Sequence, residues 1–221
     1  MRLPIFVYHL IRERAIESTE ALRLTVAPDI FESQMSYLGA KGYETLALAD
    51  LAAHFREGKP LPEKAVILTF DDGWEEQFET AVPILRNYGL RATFFVVTNY
   101  VGHHEFFSWD QIRTLISYGM TIGSHSRHHP DLAEISSADE LRDEIETSKA
   151  ILERETGTSI DAFAYPYGAY NHETIAAVER AGYTTARADK FGLVHSEADL
   201  YTLKIVTAPN DLETFEKMLE K

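Results

Sequence analysis

The chain contains no cysteine. Disulfides, thiolate metal sites and a cysteine nucleophile are therefore excluded together. The compartment stays open, since secreted proteins can also lack disulfides. No apolar run reaches the roughly 20 residues that a membrane span needs. The opening segment Met1–His9 has one basic residue and a very short apolar run, too short for a signal peptide. The expectation is a cytoplasmic protein or one whose leader has been removed. Basic residues are in deficit, with 21 Lys+Arg against 35 Asp+Glu and a formal net charge of −14. That balance argues against a nucleic-acid backbone or an anionic membrane as the main partner, because both attract basic patches. A neutral substrate is not excluded. There is no repeat, no low-complexity tract and no Gly/Ser linker. Neither GxGxxG nor GxxxxGK[ST] occurs, so nucleotide binding has no motif support.

What is present is ordinary for a folded protein: 221 residues, 45% hydrophobic and 25% charged. That length suits one large domain or two small ones. Seven short apolar runs read as buried strands: Ile5–Tyr8, Ala65–Phe70, Thr93–Val97, Thr121–Ser124, Ala162–Tyr165, Thr184–Ala186 and Leu203–Val206. They are mostly apolar on both faces, as parallel strands covered on both sides should be. Between them lie helical segments at Pro28–Ala40, Leu48–Glu57, Glu75–Tyr88, Asp110–Tyr118, Ser137–Glu155 and His172–Ala181, and Asp211–Glu220 closes the chain. A glycine follows six of the seven, the usual C-terminal stop, and Ser137 with Glu140 reads as a capping box. Strand–helix alternation over residues 1–221 predicts a single α/β domain, a closed or nearly closed (β/α) barrel of about seven parallel strands. An open doubly wound sheet is the alternative. In either, loops at the strand C-termini carry the chemistry.

Three such loops stand out. Thr69-Phe70-Asp71-Asp72-Gly73 ends an apolar strand in two adjacent carboxylates, costly together in a barrel mouth without a cation. A metal would resolve this, with one Asp ligating and the other free as a base; a solvated turn is the plain alternative. His125-Ser126-Arg127-His128-His129 carries H-x3-H spacing, frequent at transition-metal sites; a surface histidine cluster or histidines capping a helix are the plain alternatives. His129 is preferred over His128 because it shares a face with His125. One carboxylate and two imidazoles leave positions open for water, as in a catalytic site. In Tyr165-Pro166-Tyr167-Gly168 the turn can aim the Tyr167 N–H at a developing oxyanion, although for this segment alone a plain aromatic turn is the favoured reading. His9, after the first strand, has a pKa suited to a proton donor, although a rim histidine bonded for structure alone is the commoner reading. Trp74, Phe106, Phe107 and Trp109 add aromatic surface near these loops.

Together these segments resemble the polysaccharide deacetylases, also called the NodB homology domain or carbohydrate esterase family 4. Thr69–Gly73 matches the family's TFDDG motif, His125–His129 its H-[ST]-x-x-H motif, and Phe163–Gly168 the motif ending in Pro-Tyr-Gly. The resemblance implies a distorted (β/α) barrel with one divalent metal, commonly zinc, with cobalt, nickel or manganese as substitutes. Asp72, His125 and His129 would hold it, Asp71 would be the general base, and the Tyr167 N–H would serve the oxyanion. It also implies an N-acetylglucosamine-containing polysaccharide as substrate, with an O-acetyl ester or a non-catalytic glycan-binding role as alternatives, and a secreted, periplasmic or cell-surface setting. The sequence departs from the common pattern in two places. The family's usual Arg is absent near Ala164, and Leu203-Lys204-Ile205-Val206 lacks the usual acid His. Both departures resemble the circularly permuted poly-N-acetylglucosamine deacetylase branch, in which an N-terminal Tyr-His supplies the acid. That implies His9 as the acid and Lys204 as the stand-in for the missing Arg.

Overall fold

The computed structural model describes residues 1–13 and 23–220. Its strands are β1 (Ile5–Tyr8), β2 (Leu10–Ile11), β3 (Thr25–Val26), β4 (Glu44–Leu46), β5 (Ala65–Phe70), β6 (Thr93–Val96), β7 (Thr121–Ser124), β8 (Ala162–Ala164), β9 (Thr185–Phe191) and β10 (Leu203–Thr207). The order β1-β10-β9-β8-β7-β6-β5 closes because β5 pairs back onto β1, with Ile5 opposite Ile67 and Tyr8 opposite Phe70. Seven strands thus form a closed parallel barrel, and these are the seven read from the sequence. β4 adds to the early half of β5 outside the ring, while β2 and β3 pair with each other.

The strand alternation sorts the core into two layers. Ile5 and Val7 of β1, Ala65 and Ile67 of β5, and Leu203 and Ile205 of β10 fill the barrel. Their neighbours Phe6, Tyr8, Val66, Leu68, Phe70 and Val206 face outward onto helix residues such as Phe31, Leu85, Leu115, Leu152 and Phe215. Each fully buried side chain of this kind contributes about 1.5–3 kcal/mol of transfer free energy. Inside the ring, Phe95 fills the space beside Gly123, where an added Cβ would lie 2.4 Å from the Phe95 ring. Gly123 is there because the barrel admits one large ring at that level and no second side chain beside it.

The helices match the expected set, and the stopping glycines adopt positive φ at Gly42, Gly58, Gly89, Gly119, Gly157 and Gly182. Ser137 accepts the Glu140 amide as an N-cap. Two of the expected continuous helices contain a wide π turn, at Gln77–Ala81 and at Asp143–Thr147. Periodicity cannot reveal these, because one extra residue in a turn leaves the apolar stripe readable on both sides. β9 runs on to Phe191, beyond the expected Ala186, since Arg187-Ala188-Asp189-Lys190 reads as loop when its polar members are assumed to face water. No described helix is long and apolar enough to cross a membrane.

Candidate metal centre and active site

All barrel strands point the same way, so their C-terminal ends converge on one face. The inward phase of β5, set by Ala65, Ile67 and Thr69, carries on to Asp71, which is only 4% exposed. Its amide donates to Tyr8 O at 3.0 Å, tying the end of β5 to β1. Asp72 then adopts φ 70°, a conformation that costs a non-glycine residue of order 1–3 kcal/mol. The Trp74 indole N–H donates to Asp72 Oδ2 at 3.0 Å. Asp72 Oδ1 is left facing two imidazoles.

Those imidazoles belong to His125 and His129. The His125 amide donates to Val96 O at 2.9 Å, and its Nδ1 donates to Ala164 O at 2.8 Å. With the proton fixed on Nδ1, Nε2 presents its lone pair to the site. His125 Nε2 lies 3.2 Å from His129 Nε2. It lies 3.7 Å from Asp72 Oδ1, and His129 Nε2 lies 3.5 Å from that oxygen. A tetrahedral ion with bonds of about 2.0–2.2 Å spaces its ligands by roughly 3.3–3.6 Å. The triangle matches that size, so the donor set fits a divalent ion. Burial pulls the His125 pKa down to about 4, against the opposing pull of Asp72, and lowers that of His129 as well. Both rings are thus neutral at neutral pH, the form in which an imidazole is able to ligate. The H-x3-H pair sits on a tight loop: Ser126 and His129 have φ 65° and 64°, and Ser126 Oγ accepts the His129 amide at 3.0 Å. His128 turns away to Glu144.

Asp71 stands next to this triangle, its Oδ2 3.9 Å from His125 Nε2. Its other oxygen accepts a hydrogen bond from Arg187 Nη2, buried to 3% exposure. The guanidinium also lies over the Phe95 ring, 4.7 Å from its centroid. Burial lowers the Arg187 pKa to about 9, so it is still charged at neutral pH. This corrects the expectation for Lys204, whose amine instead donates to Val194 O at 3.1 Å and lies 3.3 Å from Asp199. Arg187 pairs across the sheet with Ala164, so the cation enters from the neighbouring strand at the same level. A folded Arg187→Gln variant should lose activity at neutral pH. Without the cation Asp71 protonates more readily, so the acid limb of a kcat/KM–pH profile should move to higher pH. An unmoved limb would show that Arg187 does not act on Asp71.

His9 follows β1 with Nε2 3.6 Å from Asp71 Oδ2. Burial lowers its pKa, opposed by Asp72. Gln77, from the first π turn, donates one amide group to both His9 O and Asp71 O at 2.7 Å, locking the two loop origins together. Tyr167 occupies the Pro166–Gly168 turn with φ 57° and ψ 8°. Its ring is 69% exposed and lies 4.7 Å from that of His129. Gly168 is required there: a Cβ would lie 2.3 Å from the Asp189 backbone nitrogen. Gly168→Ala should therefore destabilise by more than about 1 kcal/mol, lowering the melting midpoint by at least about 2–4 °C. An unchanged midpoint by calorimetry would contradict the tight fit. The ligand triangle, Asp71, Arg187, His9, Tyr167 and Gly168 line one cavity of about 270 Å³, together with Asp189 and Thr207, and Gln77 lies behind it. At the rim, Trp74 stacks on Phe106 at 4.5 Å and Tyr100 packs on Phe106 at 4.7 Å, while Phe107 is wholly buried core.

Arg187, Gln77 and the Trp74–Asp72 bond are the parts the sequence reading did not assign. Only the inward phase of β9 signals Arg187, through Thr185 and Arg187 alternating with Ala186 and Ala188. Nothing local signals Gln77.

The polysaccharide deacetylase family profile matches residues 58–186. A Bacillus subtilis protein whose name places it among the polysaccharide deacetylases is 30% identical over 202 residues, covering 91% of this chain and 70% of its own. A poly-β-1,6-N-acetyl-D-glucosamine N-deacetylase of Staphylococcus aureus is 28% identical over 179 residues, 75% of this chain, which spans 61% of that relative's length. Among solved structures, a Streptococcus pyogenes deacetylase in complex with acetate superposes with TM-score 0.93 at 28% identity, covering 100% of this chain and 99% of its own.

Proposed function

The chain belongs to the polysaccharide deacetylase family, and from that premise we propose that it is a metal-dependent hydrolase removing N-acetyl groups from an N-acetylglucosamine-containing polysaccharide. The carrying observation is the triangle of Asp72, His125 and His129 with Asp71 beside it and outside it. The S. aureus relative's named substrate and the acetate bound to the S. pyogenes relative support the same reading. The rim stack of Trp74, Phe106 and Tyr100 offers apolar faces suited to sugar rings.

Asp72, His125 and His129 would hold the ion, and a His2Asp donor set favours zinc. The chemistry such an ion supplies is Lewis acidity toward the acetyl carbonyl and toward water. Asp71, fixed through one oxygen by Arg187, takes a proton from the attacking water on the other. The Tyr167 N–H donates to the oxyanion of the tetrahedral intermediate. His9 Nε2, 3.6 Å from Asp71 Oδ2, delivers a proton to the departing amine nitrogen, which is otherwise a poor leaving group. Burial depresses the His9 pKa, so the ring is neutral at rest at neutral pH and takes up the proton that Asp71 removed from water before passing it to the amine. The products are acetate and a free amino sugar.

Acetate release across a glycan panel tests this. N-acetylglucosamine oligomers should release acetate with matching amine formation. Release confined to O-acetylated xylan would replace the amide reading with an ester one, and binding without acetate release would make the chain a glycan-binding module.

A further inference from the structure

His128, Asp143 and Glu144 bring three ligand-type atoms together outside the catalytic cavity. Hydrogen bonds already tie these groups to one another and to Arg127, so the cluster is held together without an ion. The Arg127 guanidinium donates to both oxygens of Asp143 at 2.6 and 2.5 Å. Glu144 is 5% exposed and accepts three hydrogen bonds: Oε2 accepts the amides of Arg127 and His128 at 3.0 and 2.9 Å, and Oε1 accepts the His128 Nδ1 proton at 2.6 Å.

The two amides lie between the left-handed residues Ser126 and His129. This is the stretch of chain that must turn twice to bring His129 back over His125. On its opposite side, Thr98 N and Asn99 N donate to Ser126 O and Arg127 O at 3.3 and 2.9 Å. The loop backbone is therefore gripped from both sides, and Glu144 is the grip on the amide side. The wide turn at Asp143–Thr147 puts two consecutive residues, Asp143 and Glu144, against that loop. π turns of this kind recur at functional sites.

We propose that Glu144 is a positioning residue that holds the Ser126–His129 loop in its ligating shape, and so sets the affinity of the site for its metal. It acts through the two backbone amides and touches neither substrate nor reacting atoms. The proposal rests on the metal reading above. Wild type and His125→Ala, titrated with Zn²⁺ against a chromophoric chelator, test that reading by itself: wild type should bind and His125→Ala should not.

The same titration then tests Glu144. Glu144→Ala, or Glu144→Met where bulk is needed to fold, should weaken Zn²⁺ binding about 10–100-fold, the usual cost of losing an outer partner of a ligand. Glu144→Gln keeps an oxygen for the two amides and should stay within about threefold of wild type if the amide grip is what matters. Ser137→Ala removes the N-cap bond to the Glu140 amide at the start of the same helical run, away from the loop, and should leave affinity unchanged. The proposal is overturned if Glu144→Ala and Glu144→Met bind as wild type, if Glu144→Gln falls as far as they do, or if Ser137→Ala falls equally. Hydrogen exchange in the metal-free wild type gives an independent reading: the Arg127 and His128 amides should be protected, and exchange at open-loop rates would overturn the grip whatever the variants do.

Discussion

Asp71→Asn is expected to cut kcat by about 10²–10⁴-fold, the range for loss of a general base, while the protein keeps its metal. The substitution is nearly isosteric, and an amide oxygen can still accept from Arg187. The barrel should therefore remain folded. Asp71 lies outside the candidate ligand triangle: its nearest approach to either imidazole is 3.9 Å, against 3.2–3.7 Å within the triangle. What is lost is the ability to take a proton from water. Each factor of ten corresponds to about 1.4 kcal/mol of barrier, so the predicted loss is roughly 3–5 kcal/mol at one atom. Stopped-time acetate assays with metal analysis of the same sample check this. Loss of metal along with activity would make Asp71 a ligand, and full activity with metal bound would remove it from the mechanism.

Asp72→Ala should act in the opposite order, losing the metal first and activity as a consequence. Asp72 supplies the only carboxylate among the three candidate ligands, and without it two neutral imidazoles remain to hold a dication. The fall in affinity should exceed the 10–100-fold typical of outer partners, and acetate release should drop to background. The indole N–H of Trp74 loses its partner, but Trp74 is only half-buried, so water can replace it and folding should survive. His128→Ala is the matched comparison: His128 is adjacent in sequence to His129 and turned away from the triangle, so this variant should retain far more metal than His129→Ala. Equal retention by Asp72→Ala and wild type would show that the carboxylate does not ligate.

The contrast between Asp71 and Asp72 shows what a sequence can reveal about such a site. That two adjacent carboxylates end a buried strand was visible, as was a histidine pair ending another, because both interrupt apolar runs with groups that are expensive to bury. Closure of the ring was implied by seven short strands alternating with helices. Arg187 was hidden by its setting: a single arginine in Arg-Ala-Asp-Lys resembles a solvated strand end, and only the closed barrel turns its alternate position inward onto Asp71. Lys204 was assigned in its place from a resemblance, and the register of β10 sends that side chain to Asp199 instead. Gln77 and Glu144 were hidden for another reason. Each sits in a π turn, where one added residue redirects polar side chains without disturbing the amphipathic stripe. The left-handed backbone at Asp72, Ser126, His129 and Tyr167 was equally silent, since none of these positions is a glycine.

The most direct test of the whole account is a metal titration read by chemistry. Protein stripped with a chelator and supplied with N-acetylglucosamine oligomers should release no acetate. Added Zn²⁺ should restore release in proportion, with a break at one ion per chain. Undiminished acetate release in excess chelator, or a fully metal-loaded protein that releases none from any N-acetylated oligomer, would contradict it.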